Sequence, residues 1–389
     1  LQSVGELAFE QCPSLESIDI PDTASEFGGE VFFGCTNLKS AVLPSGILSI
    51  PNGMFRRCST LLDVEIPQSV KRIEDLAFNE CTELPGILLP ENVEYIGNYA
   101  FDQCSQLLTI SIPGSVKQIG DNAFRECSHL LEVNFNEGLE VIGDYAFDDC
   151  GFLENLEFPR SLLRIENRAF TDCAGILEFR FSEGLEFIGE FAFVNCWGFE
   201  VIQLPESLME IEAEAFNGCV SLKYIYFIGD APTVGEPSPF NTVHNEATTY
   251  YFEGATGFTS PDWAGLPTVN LGAPKSSDLW LIDNQLSHET DLATISPTTG
   301  LPILVNYGWD QLPGSTAIPQ ASLDGDTLTY TFFGGREDVT YIVELSKDLN
   351  DWTSTGVTLS EPNQEGMRTA SLNLNEGRCF VRFRFVQES

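Results

Sequence analysis

Up to about residue 228, the apolar positions of the chain recur at a constant interval. Counted onward from Cys104, the apolar positions of one unit are Leu107, Ile110, Ile112, Val116 and Ile119. Ile110 and Ile112 alternate as in a β-strand, and the proline after them ends the strand because it cannot donate to a sheet. The later pair, Val116 and Ile119, marks a second apolar wall followed by a turn. The pattern therefore predicts one short strand in each unit.

A second signature, Ala-Phe-x-x-Cys, completes each unit. Ten of the eleven cysteines stand at equal intervals, at positions 12, 35, 58, 81, 104, 127, 150, 173, 196 and 219. A phenylalanine precedes each of them by three positions, usually with alanine just before it. Ala123, Phe124 and Cys127 fit one short helical or 3₁₀ turn, because residues three and four apart then face the same way. Each unit is thus predicted to form one coil of a superhelix.

A single coil is too small to fold by itself. Its roughly eight inward apolar side chains contribute about 1.5–3 kcal/mol each for the larger ones. Ordering the backbone costs about 1–2 kcal/mol per residue, so an isolated coil does not fold. Stacking on neighbouring coils must supply the difference. We therefore predict a β-rich solenoid, a right-handed superhelix of ten coils with one parallel sheet and short helical or 3₁₀ turns.

The repeated order of residues resembles the BspA-like, or treponemal-type, subclass of leucine-rich repeats over residues 1 to about 228. The shared pattern is Leu-x-x-Ile-x-Ile-Pro-x-x-Val-x-x-Ile-Gly-x-x-Ala-Phe-x-x-Cys. Five positions depart from it locally: Ala24, Phe27, Pro51, Asn136 and Ser182. Proteins of this type are typically secreted or displayed on bacterial surfaces, and some mediate adhesion. The resemblance implies a bacterial binding protein of that kind and is specific for the fold rather than for the ligand.

The chain is predicted to divide into four parts: a solenoid at 1–228, a C-terminal cap of the solenoid at 229–273, a connector at 274–322 and a β module at 323–389. The cap segment is rich in aromatic residues, which suits the open apolar end of a solenoid. The connector is polar and rich in turns, with a possible short helix near Ile303.

The final segment alternates apolar and polar residues in several short runs, which predicts a small all-β, sandwich-like domain. The stretch at 344–352 resembles C-terminal β modules of secreted bacterial repeat proteins. Residues 1–9 match the second half of a repeat, so we also expect the chain to begin inside a longer natural protein.

The net charge and the absence of known catalytic motifs reduce the number of function classes that fit the sequence. The formal charge of −39 disfavours nucleic acid and anionic membranes as partners, and no apolar run approaches the ~20 residues of a membrane span. The three histidines stand in no catalytic motif, and no phosphate loop or dinucleotide fingerprint is present. We therefore expect no enzyme activity. A carboxylate-based hydrolase stays a remote alternative, because a chain with 58 acidic residues contains many carboxylate pairs.

The cysteines could bind metal, form disulfides or fill the core. Their spacing lacks the Cys-x-x-Cys pairs of zinc sites, and parallel side chains on stacked coils would hold the Cβ atoms too far apart for disulfides. Buried, reduced thiols acting as small apolar groups are the favoured interpretation. Calcium at Asp144, Asp148 and Asp149 is left open, although a solvated acidic face is favoured. No cofactor and no metal site is predicted.

The outward side chains of the predicted strands form a continuous surface, which is where we expect a protein or glycan ligand. The candidate binding residues are Glu157, Arg180, Gln203, Tyr224 and Tyr226, because arginine and tyrosine are enriched at binding hot spots. A second aromatic set, on the opposite side, is interpreted as a shield for the other wall: Tyr95, Tyr99, Tyr145, Phe187 and Phe191. The expected protein is a monomeric binding or adhesion protein. A carbohydrate-capture protein that assists separate degradative enzymes is the alternative.

Overall fold

A computed structural model describes residues 2–273 and, nearer the C-terminus, residues 320–324, 327–333, 339–346, 357–361, 367–373 and 380–387. The chain forms two compact units, Leu1–Ala273 and Pro274–Ser389. The first unit is a solenoid of about twelve coils. Its strands are β1 (Ser3–Val4), β2 (Ser17–Asp19), β3 (Glu26–Phe27), β4 (Ser40–Val42), β5 (Ser49–Ile50), β6 (Asp63–Glu65), β7 (Arg72–Ile73), β8 (Tyr95–Ile96), β9 (Thr109–Ile112), β10 (Gln118–Ile119), β11 (Glu132–Phe135), β12 (Val141–Ile142), β13 (Asn155–Glu157), β14 (Arg164–Ile165), β15 (Glu178–Arg180), β16 (Phe187–Ile188), β17 (Val201–Leu204), β18 (Glu210–Ile211), β19 (Tyr224–Phe227), β20 (Thr233–Val234), β21 (Thr248–Tyr251), β22 (Asp262–Trp263) and β23 (Leu266–Asn270).

The strands form two parallel walls, where the sequence predicted one sheet. The predicted strands make the first wall, in three sheets ordered β2-β4-β6, β9-β11-β13-β15 and β17-β19-β21-β23. The second wall is a sheet of nine two-residue strands running from β5 to β20. It arises because the apolar pair after the proline also stacks in register from coil to coil, as Ile119 on Ile142 shows. Two residues per coil are enough for pairing when both neighbouring coils continue the ladder.

The predicted helical or 3₁₀ turn is absent, and the described residues contain no helix at all. In one coil, Asn122 and Glu126 have positive φ values of 57° and 56°, and left-handed residues at that spacing interrupt a helix. Successive backbone N–H groups instead donate alternately to the next coil and to the same turn. The N–H groups of Asn122, Phe124 and Glu126 donate to the next coil, whereas those between them donate three residues back within the turn. Bonding to the adjacent coil therefore displaces the helical pattern.

Stacked phenylalanine rings form the centre of the core. The ring of the Ala-Phe-x-x-Cys signature lies over its equivalent in the next coil from Phe9 to Phe216, with centroids 5.1 to 5.5 Å apart. Phe240 extends the stack beyond the last cysteine of the array, at 5.6 Å from Phe216. All rings from Phe32 to Phe216 in this row are fully buried. The sequence signature is thus a packing unit that every coil shares with two neighbours.

The cysteines of the array lie beside this stack as free thiols. Nine are buried, and Cys12, in the first coil, is half-buried, contrary to the expectation that all ten are inaccessible. Each buried thiol contacts the preceding coil, as in the donation from Cys127 Sγ to the carbonyl oxygen of Phe101 at 3.2 Å. Burial raises the pKa of the Cys127 thiol well above its ordinary value. Cysteine therefore combines a small apolar volume with a donor for a buried carbonyl.

Residues 229–273, the predicted cap, continue the first wall for two more coils through β21 and β23. β22 folds back against β23 as an antiparallel pair. The aromatic residues of this segment pack on the end of the core: the indole of Trp263 meets the ring of Phe227 edge-on at 5.1 Å. Phe252 and Trp263 are both buried. The segment thus extends the ladder while its aromatic side chains cover apolar surface.

The second unit contains antiparallel strands: β24 (Gln320–Asp324), β25 (Thr327–Phe333), β26 (Val339–Ser346), β27 (Val357–Leu359), β28 (Met367–Asn373) and β29 (Phe380–Gln387). They form a sheet ordered β24-β25-β28-β27 and a pair β26-β29. The alternating runs therefore form strands, as predicted, and a sandwich-like packing of the two sheets stays a prediction. The connector is described only where β24 begins, so its possible helix near Ile303 lies outside the described residues, as does Cys379.

Candidate ligand-binding surface

The candidate surface is the outer side of the first wall, called the sheet face below. Successive side chains of a strand point to opposite sides, so β9 and β11 alternate exposed and buried residues along their length. The inward residues Ile110 and Val133 belong to the core, whereas Ser111 and Asn134 are exposed on the sheet face and pair in register. The face therefore presents rows of side chains held at the spacing of the strands.

The structure divides the five predicted binding residues between two sheets. Glu157 and Arg180 are exposed and are register partners on β13 and β15. Gln203 and Tyr224 are half-buried on β17 and β19, which belong to the next sheet along the wall. Tyr224 also lies beside Lys223, whose Nζ is 5.2 Å from the centre of the tyrosine ring. The first four predicted residues thus reach the surface, and two of them are direct neighbours.

Tyr226, the fifth predicted binding residue, was expected on the surface but is fully buried. The sequence pattern predicts that the repeats end near residue 228, which would make Tyr226 the last outward residue of its row. The ladder continues instead, with Tyr226 in register with Tyr250, and the two rings stack at 5.1 Å. A ring without accessible surface cannot contact a ligand in this conformation, so Tyr226 leaves the candidate site.

A groove on the sheet face was missed in the sequence. It has a volume of about 530 Å³ and lies between β11 and β13. The ladder is open there: only Glu132 and Asn155 pair between these strands, whereas β9 and β11 pair four residues. The groove is lined by Leu131, Glu132, Val133, Asn134, Phe135, Asn136, Glu154, Asn155 and Glu157.

Asn136, which replaces the strand-ending proline, was the available signal for this opening. Its side-chain amide donates to the carbonyl oxygen of Ile112 at 2.9 Å and so ties the end of β11 to the preceding coil. The following coil keeps the proline, Pro159. The two strands therefore end differently. The departure from the repeat consensus at Asn136 thus coincides with the groove.

The aromatic set on the second wall is mostly covered by arginines. The guanidinium of Arg72 lies 4.0 Å from the ring centre of Tyr95, and that of Arg164 lies 3.8 Å from Phe187. Arg168 lies 4.3 Å from Phe191. Tyr99 and Tyr145 are more exposed. These contacts agree with the interpretation that the set shields the wall, since the arginines occupy the ring faces that a ligand would need.

A row of polar and charged side chains crosses the Phe-x-x-Cys turns. Asn79 donates to Asp102 at 2.8 Å, and Arg125 Nε donates to the other oxygen of Asp102 at 2.8 Å. One coil further, Asp148 is half-buried near Asp149 and Asp172. Burial, with help from these two carboxylates, raises the pKa of Asp148 to about 6. In the part of the chain that the structure describes, no group of three or more acidic, histidine or cysteine side chains could hold a metal ion.

Stacked coils of constant length, with parallel strands, a phenylalanine core and an exposed sheet face, define a leucine-rich-repeat solenoid. The model of the BspA-type leucine-rich repeat region matches the sequence in six copies, over residues 2–131, 49–176 and 117–243. These matches span more than half of the chain, which therefore belongs to the BspA-type leucine-rich repeat family. No curated protein sequence matches the chain.

Solved structures of leucine-rich repeat proteins are similar to this chain. One from Bacteroides ovatus is 26% identical with a TM-score of 0.53, covering 74% of this chain and 69% of that protein. A leucine-rich cell surface protein from Faecalibacterium prausnitzii is 23% identical, with a TM-score of 0.42 and coverage of 75% and 87%. A leucine-rich repeat protein of T. pallidum is 22% identical, with a TM-score of 0.37 and coverage of 57% and 82%. Within the described ranges, no helix could cross a membrane.

Proposed function

We propose that this chain is a non-catalytic binding or adhesion protein, secreted by or displayed on a bacterium, that recognises a protein or glycan through its sheet face. The observation that carries the proposal is the rigid display of exposed side chains in register, such as Glu157 beside Arg180. Membership of a repeat family that typically consists of binding proteins without enzyme activity supports it.

The energetic argument is preorganisation. Strands of one sheet stand about 4.8 Å apart, so neighbouring coils present a fixed pattern of side chains. Binding to such a surface avoids the cost of ordering a loop. We place the centre of the site at Glu157, Arg180, Gln203 and Tyr224. Arg180 supplies a planar fork of donors, and Tyr224 supplies apolar area with a polar tip.

The test is a binding screen of the full chain on protein and glycan arrays, followed by affinity measurements. Arg180→Ala combined with Tyr224→Ala should weaken binding at least tenfold, because hot-spot truncations typically cost about 2 kcal/mol each. Arg160→Ala combined with Tyr99→Ala removes the same side-chain types from exposed positions elsewhere and should leave the affinity unchanged. Melting temperatures of both variants check the fold. No ligand on either array, or equal losses in the two variants, would contradict the proposal.

Carbohydrate capture is the second candidate, favoured by the amides of Asn134 and Asn155 in the groove, which can bind sugar hydroxyls. A ligand found only on the glycan array would support it. The remote hydrolase alternative predicts turnover of polysaccharides by the chain alone, which the binding proposal does not. Size-exclusion chromatography checks the proposed monomer.

A further inference from the structure

The groove between β11 and β13 has a distinctive charge. Glu132, Glu154 and Glu157 line it and are all exposed. Arginines and lysines pair with carboxylates at other places in the solenoid, as Lys71 does with Glu94. None of the ion pairs among the described residues includes the three glutamates of the groove. The groove therefore offers three carboxylates for a partner to neutralise.

An apolar edge borders these carboxylates. Leu131 lines the groove and is 43% exposed. Leu108 and Leu177 occupy the equivalent position of nearby coils and are 44% and 56% exposed. Backbone hydrogen bonds connect this row, from the N–H of Leu131 to Leu108 and from the N–H of Leu177 to Glu154. The three leucines form a strip along the solenoid that extends past both ends of the groove, with Glu154 at the equivalent position between Leu131 and Leu177.

The exposed carboxylates and the leucines together favour some classes of ligand over others. Anionic glycans are disfavoured by the three carboxylates. Neutral sugars usually stack on an exposed aromatic ring, and the aromatic ring that lines the groove, Phe135, is buried. A polypeptide with lysine or arginine near aliphatic side chains satisfies both features, because its cations meet the glutamates and its aliphatic groups cover the leucines. The complementarity of charge and apolar surface thus favours a basic protein segment.

We propose that the groove between β11 and β13 binds a basic polypeptide segment whose aliphatic side chains pack on the strip of Leu108, Leu131 and Leu177. The inference rests on the proposed function and names its partner class as protein. The length of the strip, which spans four coils from Leu108 to Leu177, suits an extended segment laid across the strands.

The experiment measures binding of the full chain to a synthetic peptide of about ten residues that contains lysines and leucines. A matched peptide carries glutamate in place of each lysine, and a neutral oligosaccharide serves as a third probe. The test variant is Glu132→Gln, Glu154→Gln and Glu157→Gln together. Its control, Glu91→Gln with Glu183→Gln and Glu210→Gln, removes the same charge from exposed positions away from the groove. Leu131→Ser in a separate variant tests the apolar strip.

The inference requires that the basic peptide binds and that the acidic peptide does not. It also requires that the groove variant loses at least tenfold in affinity for the basic peptide, while the charge control loses less than twofold. Leu131→Ser should weaken binding about threefold or more at 0.5 M salt, where charge attraction is screened. Equal losses in the groove variant and the charge control would show attraction to the acidic chain as a whole and would overturn the inference.

Binding of the oligosaccharide in the groove instead would also overturn it. An array ligand whose binding depends on Arg180 and Tyr224 but is unchanged by Glu132→Gln combined with Glu154→Gln would leave the proposed function intact and reject the groove as its site. The two proposals can therefore fail separately.

Discussion

At the scale of the residue, the repeated cysteine is explained by a hydrogen bond and by volume together. Cys104 Sγ lies 3.2 Å from the carbonyl oxygen of Phe78, which also accepts the backbone N–H of Cys81. The thiol thus uses the second acceptor site of a buried carbonyl. A larger side chain would not fit beside the phenylalanine stack, and alanine would lose the donor.

Burial of these thiols predicts their reactivity. Only a thiolate reacts readily, and burial raises the pKa of thiols such as Cys104 and Cys127. Under native conditions, iodoacetamide should modify Cys12 and none of the nine cysteines from Cys35 to Cys219. Peptide mass spectrometry locates the labels, and denaturant should expose all of them. Rapid native labelling of several buried cysteines would contradict the structure.

Removing one interior ring should destabilise the whole array. Phe124 is fully buried between Phe101 and Phe147, with centroids 5.2 and 5.1 Å away. Phe124→Ala should cost about 3–5 kcal/mol in the free energy of unfolding, because the cavity faces two neighbouring coils. Urea unfolding measures the loss. Phe152→Ala, at an exposed ring, is the control and should cost far less; equal losses would place Phe124 outside the core.

Asp148 predicts a local dependence of stability on pH. Its folded pKa of about 6 lies above the ordinary value of 3.8, so protonation favours the folded state. Its stabilising contribution is present at low pH and is lost as pH rises through about 6. Asp148→Asn should therefore stabilise the chain at pH 7.5 by about 1 kcal/mol, a value discounted because solvent screens this half-exposed carboxylate, and should have little effect at pH 4.

Thermal melting at several pH values measures this effect. Asp19→Asn removes one charge at an exposed site and controls for the general relief of acidic repulsion. The difference between the two variants should shrink as the pH falls below 6. A constant difference from pH 4 to pH 8 would show that Asp148 does not titrate in this range.

At the scale of the element, side chains reinforce the second wall. Asp75, Asn98, Asp121 and Asp144 each accept the backbone N–H of the equivalent residue in the next coil, through one side-chain oxygen at 2.8 to 3.1 Å. The N–H of Glu190 is bonded in the same way by Asn167. This row holds the chain at the turn directly after the two-residue strands. Short strands are thus supplemented by a ladder of side-chain acceptors.

Interrupting this row should loosen two coils. Asn98→Ala removes the acceptor of the Asp121 N–H, a bond of 2.8 Å. We expect a loss of about 1–2 kcal/mol in the free energy of unfolding, because a part-buried donor is left unpaired. Chemical denaturation checks it. Asn134→Ala, at an exposed site on the sheet face, should change stability by less than about 0.5 kcal/mol. If both variants lose the same stability, the row is not structural.

At the scale of the whole molecule, repulsion between the many carboxylates destabilises the folded chain. The whole chain carries a formal charge of −39, and the ion pairs among its described residues are mostly exposed and therefore weak. Raising NaCl from about 0.05 to 0.5 M should raise the melting temperature, since screening weakens repulsion more than it weakens these pairs. KCl at the same ionic strength should act equally. A melting temperature that falls with salt would mean that the ion pairs dominate.

The sequence by itself determined the period, most of the inward residues and the strands of the first wall within the repeats. When a repeat has constant length and fixed apolar positions, its apolar side chains are buried most completely if equivalent residues of successive coils stack. Phe124, Cys127 and Ile110 are buried in the core, as the pattern predicts. The exposure of Glu157 and Arg180 follows from the same alternation. These features depend on the order of residues within one coil and on neighbouring coils of the same pattern, and both can be read from a repeated sequence.

Only the tertiary structure decided how neighbouring coils share their hydrogen bonds. The N–H of Phe124 donates to Ala146 in the next coil, which converts an expected helical turn into a non-helical one. The same dependence on neighbours buries Tyr226 beside Tyr250, on a coil that lacks the repeat signature. The groove likewise lies where Asn136 is bonded to the preceding coil and β11 pairs with β13 at one residue only. A backbone bond or a stacking contact between coils depends on both partners, so the sequence of one coil cannot specify it.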